Sequence, residues 1–143
     1  MTITVTLDPM RHDLDALHRM LAASYWSPGI RREVLAEALR NSITAVAFDE
    51  ESGTTVGVAR VVTDRAIFAS LCDMFVEERV RGRGVARRMI EELEREPTLQ
   101  SVRRWCLATS DAHGLYERFG YRPVPAERWM EKQGPKECWQ EPR

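Results

Sequence analysis

Asp73-Met74-Phe75-Val76-Glu77-Glu78-Arg79-Val80-Arg81-Gly82-Arg83-Gly84-Val85-Ala86-Arg87-Arg88-Met89-Ile90 runs from an apolar strand-like stretch, through a loop of arginine and glycine, into residues at helical spacing. Five arginines and two glycines, with no acid, stand between Arg79 and Arg88; Glu77 and Glu78 precede them, and Glu91, Glu92, Glu94 and Glu96 follow. The positive charge is thus confined to the loop and the first turns of the helix. A helix N-terminus already presents unpaired N–H groups and a partial positive charge, a combination that suits an anion. Gly82 and Gly84 let a phosphate approach the backbone without obstruction by a Cβ.

Working outward, Val85, Met89, Ile90 and Leu93 define one face of a helix over 84–94, which Pro97 closes. Upstream, Ala66–Val76 reads as a long buried strand, and 43–48 and 55–63 are β-branched segments flanking the polar turn 49–53, which predicts an antiparallel hairpin. A short strand at 3–7 and two amphipathic helices precede it: 13–23, with Asp13 as cap, and 32–40. Downstream come a strand over 102–109, a short helix over 113–119, and weak strands over 121–124 and 128–131. The order β-α-α-β-β-β-α-β-α-β-β predicts an α/β fold with a mixed, mostly antiparallel central sheet flanked by helices. One domain over 1–133 and a loose polar tail over 134–143 are expected, because no repeat or flexible linker divides the chain.

Composition narrows the function classes. The 143 residues hold 21 basic and 22 acidic side chains, a net charge of −1, which argues against binding to nucleic acid or an anionic membrane by bulk charge. No apolar run approaches bilayer length and no secretory leader is visible, so a cytosolic (cytoplasmic) protein with no membrane association is expected. Three cysteines without metal-like spacing indicate neither a disulfide framework nor a metal site. Cys72 and Cys106 read as small core residues, and the histidines show no ligand-type pairing.

The anion site is not one of the common nucleotide loops. A Walker loop needs a lysine, which this region lacks, and a dinucleotide loop needs a third glycine where Arg87 stands. Read as Arg81-x-x-Gly84-x-Ala86, the segment resembles the pyrophosphate loop of the GCN5-related N-acetyltransferases (GNAT family). The strand end Met74-Phe75-Val76 and the later run Leu115-Tyr116-Glu117-Arg118-Phe119-Gly120-Tyr121, with Ala112 four residues before Tyr116, resemble the same family over about 43–124. Thr109 stands where the family often has Asn, and Tyr121 where phenylalanine is usual.

The resemblance implies acetyl-CoA as co-substrate. Its pyrophosphate would lie on the backbone from Gly82 to Arg87, including Arg83, Val85 and Ala86, and its pantetheine arm along Met74, Phe75 and Val76 as an added strand, with Thr109 and Ala112 also at the cofactor. An amine acceptor would attack the thioester directly, a backbone N–H near Phe75 or Val76 would stabilise the oxyanion, and Tyr116 would protonate the leaving thiolate. For the base, Asp73 is the first choice, with Glu77 and Glu78 beside it; the alternative for Asp73 is an ion pair with an arginine such as Arg60. Tyr25 and Trp26, between the first two helices, line an acceptor pocket or pack under their loop. Trp129 and Trp139 serve a homodimer contact or cover a sheet edge. The competing reading is a non-catalytic acyl-CoA-binding module; RNA or DNA binding is disfavoured by overall neutrality and by the absence of aromatic residues among the arginines.

Overall fold

A computed structural model describes residues 1–142. Five strands, β1 (Ile3–Thr6), β2 (Ile43–Asp49), β3 (Thr54–Thr63), β4 (Phe68–Val76) and β5 (Arg104–Cys106), form one sheet in the order β1-β2-β3-β4-β5. The first four are antiparallel neighbours, and β5 joins β4 in parallel. Four α-helices accompany them: α1 (Leu14–Ala22), α2 (Arg32–Arg40), α3 (Val85–Arg95) and α4 (His113–Glu117). The expected mixed, mostly antiparallel sheet flanked by helices is what forms.

The sheet separates two apolar layers. Leu17 and Leu21 of α1 and Leu35 and Leu39 of α2 pack with Val46 and Val58 on one face. Val85, Met89, Ile90 and Leu93 of α3 pack on Ala45, Ala47, Ala59 and Val61 on the other. Covered on both sides, β2 is apolar almost throughout, as its sequence requires. Gly57 lets α3 settle closely, since a Cβ there would lie 3.2 Å from the Met89 side chain and 3.3 Å from the Phe75 carbonyl oxygen. Asp13 caps α1 as expected, its carboxylate accepting the Ala16 N–H at 3.2 Å.

Two irregularities shape β4. Opposite β3, Val58 pairs with Phe75 but Arg60 with Cys72, so β4 carries one extra residue at Asp73-Met74, and Asp73 adopts φ 55°. On its other edge β4 pairs with β5 only from Phe68 to Ser70. Beyond Ser70 the two strands part, and β5 is therefore much shorter than the 102–109 expected.

The end of the chain departs from the sequence reading. Residues 121–131 form no strand; Pro123 and Pro125 lack the N–H that a ladder needs, and Ala126–Arg128 is a 3-10 turn. Nor is the segment 134–142 loose. Ile30 and Gln140 form an antiparallel bridge, Arg31 N–H donates to the Trp139 carbonyl at 2.8 Å, and Glu141 N–H donates to that of Gly29 at 2.7 Å. Trp139 thus lies against the α1–α2 loop, while Trp129 sits beneath the Arg104 guanidinium, 5.1 Å from its ring centre, next to β5.

Candidate active site

Where β4 and β5 part, the sheet opens into a cleft of ≈ 1590 Å³. Its floor is the unpaired edge of β4 from Leu71 to Val76. Glu77 N–H donates to the Val56 carbonyl at 2.8 Å, so by antiparallel alternation Phe75 and Glu77 bond to β3 while Met74 and Val76 turn their backbone groups to the open edge. The Val76 carbonyl is taken by Arg81 Nε at 2.8 Å, which leaves the Val76 N–H as a donor at the cleft.

The arginine-glycine loop closes one end. Gly82 and Gly84 both have positive φ, 77° and 75°, and Gly84 is the N-cap of α3. No side chain caps this helix, and its first internal bond runs from Arg88 N–H to the Gly84 carbonyl. The N–H groups of Val85, Ala86 and Arg87 are accordingly open to an anion. A Cβ on Gly82 would meet nothing within 4 Å, so the loop surface is clear. Its arginines divide the work. Arg79 turns away to Asp49 and Thr54 at the β2–β3 hairpin and to Glu77 after β4, and Arg81 stacks over Phe75 while bonding to Val76. Arg87 lines the cleft beside Gly84. Arg83 is exposed and does not line it.

Across from the loop, α4 places Tyr116 in the wall, 7% exposed and edge-on to Tyr121 with ring centres 5.9 Å apart. The Tyr116 hydroxyl has no hydrogen-bond partner among the described residues. Burial first, then the negative charge of Asp111 and the nearby Tyr25, push its pKa up to about 12. The phenol therefore keeps its proton throughout the neutral range. Thr109 and Ala112 also line the cleft, and Thr109 Oγ1 accepts the Ala112 N–H at 3.1 Å, shaping the turn into α4.

At the opposite end the α1–α2 loop reaches over the opening. Trp26 Nε1 donates to Asp73 Oδ1 at 2.9 Å, and Arg60 Nε donates to Asp73 Oδ2 at 2.7 Å. Arg60 Nη1 continues to Ser42 Oγ at 3.0 Å. Both carboxylate oxygens of Asp73 are thus engaged, and the pairing with Arg60 is the arrangement that competes with a role as base. Glu77 is bound to Arg79, and Glu78 is exposed away from the opening. Tyr25 packs edge-on against Trp26 at 5.0 Å, and its hydroxyl lies 2.8 Å from Ser110 Oγ, bridging the cleft. Tyr25 and Trp26 thus line the cavity rather than the core.

Sequence reasoning brought nearly every candidate to one cavity and named Arg60 as a partner for Asp73, but it missed Ser24, Asp111 and Arg118, which line the cavity as well. Nothing local marks them; the fold collects them from just past the end of α1 and from either side of α4. Among the described residues no group of three or more His, Cys, Asp or Glu side chains could hold a metal ion, and no helix is long and apolar enough to cross a membrane.

The fold has counterparts among known proteins. A protein from Xanthomonas campestris pv. campestris assigned to the GNAT acetyltransferases is 36% identical, with 94% of this chain and 95% of that one aligned at a TM-score of 0.87. Two others share the fold at 16% identity. One is a predicted acetyltransferase with acetyl-CoA from Clostridium acetobutylicum (92% and 96% covered, TM-score 0.71). The other is glucosamine-6-phosphate N-acetyltransferase of Arabidopsis thaliana (93% and 99%, TM-score 0.68). No curated protein sequence matches. The family model for the acetyltransferase (GNAT) domain matches residues 40–123, from the end of α2 through β4, the arginine-glycine loop, α3 and α4. With that match and the Xanthomonas relative, the chain belongs to the GNAT acetyltransferase family.

Proposed function

We propose that the protein is an N-acetyltransferase that moves the acetyl group of acetyl-CoA directly to a primary amine. The observation that carries this reading is the gap between β4 and β5, with an uncapped helix N-terminus at one end and a buried, protonated tyrosine on its wall. Acetyl-CoA would supply the activated thioester. The residues present fit it: the Gly82 and Gly84 backbone is clear of side chains, and the N–H groups of Val85 to Arg87 await an anion. Arg87 adds charge, and the open edge of β4 offers Met74 and Val76 backbone groups to a pantetheine arm lying as an extra strand.

Each residue then has a task. The Val76 N–H, left unpaired by the strand alternation, suits the thioester oxygen as negative charge develops on it. Tyr116 holds the proton that the departing sulfur needs, and its raised pKa keeps that proton in place until the transfer. Asp73 positions Trp26 and the β4 bulge. Tyr25 and Trp26 form the aromatic mouth through which the acceptor enters.

Titration with CoA and acetyl-CoA, followed by thiol release with a panel of primary amines, tests the reading. Saturable acetyl-CoA binding with acceptor-dependent thiol release is expected. Binding with no release for any amine would favour a regulatory acyl-CoA-binding module instead.

A further inference from the structure

Three carboxylates line the cleft, and they are not equivalent. Asp73 is held at both oxygens by Trp26 and Arg60. Glu91 lies on α3 toward the anion end, between Arg87 at 3.8 Å and Arg95 at 4.0 Å. Asp111 lies in the β5–α4 turn; its backbone N–H is bound to Thr109, while its carboxylate has no hydrogen-bond or ion-pair partner among the described residues. Arg118, the cleft-lining cation of the same segment, makes no ion pair with it.

The surroundings of Asp111 are specific. Its neighbour Ser110 holds the Tyr25 hydroxyl, so the aromatic loop arches to the same turn that carries Asp111. Tyr25 is 67% exposed and lies edge-on to Trp26. Tyr116 is close enough to feel the charge of Asp111. One uncommitted carboxylate lining the same cleft as two accessible aromatic rings, in the turn that holds the Tyr25 hydroxyl, is the chemistry that recognises an alkylammonium ion.

On the reading that this cleft transfers acetyl groups, we infer that Asp111 is the acceptor-binding carboxylate and general base, and that the acceptor is an amine arriving as its ammonium ion. The Asp111 carboxylate takes one proton from the R–NH₃⁺ group, giving R–NH₂. The nitrogen lone pair forms the C–N bond to the thioester carbon; the C–S bond breaks and sulfur keeps its electron pair. Tyr116 gives its phenolic proton to that sulfur, and the resulting phenolate takes the second proton from nitrogen. The products are the amide and CoA thiol, and Asp111 returns its proton to water.

The test compares cadaverine, charged at neutral pH, with aniline, which is uncharged and needs no base to become a nucleophile. In Asp111→Asn, kcat/KM for cadaverine should fall by roughly 10²-fold or more, while that for aniline changes by less than about 3-fold and the Kd for acetyl-CoA is unchanged. Equal losses for both amines, or no loss for either, would overturn the assignment while leaving acetyl transfer standing. Wild-type thiol release with aniline but not with cadaverine would also overturn it. Absence of release with every amine would remove the transferase reading and this inference together; retained acetyl-CoA affinity in the variant shows that it is folded.

Discussion

The indole N–H of Trp26 meets the carboxylate of Asp73 at 2.9 Å, joining the loop between α1 and α2 to the bulge of β4 across 47 positions of sequence. Asp73 stands at φ 55°, a conformation that Asp and Asn tolerate better than most side chains. Asp73→Asn keeps that tolerance and an acceptor for Trp26 but loses the charge opposite Arg60; Asp73→Ala loses all three. The alanine variant is expected to be less stable by about 1.5–3 kcal/mol, and the asparagine variant by less, as read from denaturant midpoints. Equal destabilisation would show that the backbone conformation and the Trp26 contact contribute nothing.

Tyr116→Phe keeps the buried ring and its edge-on contact with Tyr121 and removes only the hydroxyl. Turnover should fall by roughly 10²-fold or more, with acetyl-CoA affinity changed less than about 3-fold. Steady-state kinetics beside a binding titration separate the two.

The same phenol makes a prediction in pH. Its folded pKa is raised to about 12 from the ordinary 10, so the folded state favours the protonated form. The stabilisation that results is complete below pH 10 and is lost as pH rises toward 12. Alkaline unfolding curves of the wild type and Tyr116→Phe should converge below pH 10 in shape and diverge above it, the phenylalanine variant losing less stability. Parallel curves up to pH 12 would exclude the linkage.

At Gly84 the φ of 75° and not crowding is the constraint, since a Cβ would lie 3.6 Å from the Arg87 guanidinium, an ordinary contact. Gly84→Ala should therefore cost about 1–2 kcal/mol in stability with acetyl-CoA binding weakened but measurable. Gly84→Glu adds a negative charge at the anion site, and its binding should disappear. Intact binding in the glutamate variant would refute the loop's role.

Removal of 134–143 deletes the bridge from Gln140 to Ile30 and the bonds to Gly29 and Arg31. These anchor the loop that carries Tyr25 and Trp26. The shortened chain should show a raised KM for amine acceptors and a lower Tm, with the Kd for acetyl-CoA nearly unchanged; equal loss in both ligands would place the tail's effect elsewhere.

What could be read from sequence follows the range of the interactions involved. The helix over Val85–Arg95 and the hairpin of β2 and β3 announce themselves through local periodicity, and the loop through two glycines among arginines. The pairing of Asp73 with Arg60 was one of the two readings its sequence allowed, but the reach of Trp26 to Asp73 across 47 residues is a contact no local pattern encodes. Pro123 and Pro125 carried a warning against strands at the chain end, in their missing N–H groups. Asp111 had no visible signal, because its interest arises only after the fold has committed the other two acids of the cleft to partners.

The helix that presents its bare N–H groups to the cleft is also the helix whose Val85, Met89, Ile90 and Leu93 are almost wholly buried against the sheet. On the reading that this end of α3 holds the donor's pyrophosphate, recognition of the donor and cohesion of the core share a single rigid body. On that reading, substitutions at Met89, Ile90 or Leu93, on the hidden side of α3, will register as changes in donor affinity, because they tilt or loosen the helix that carries the open N–H groups.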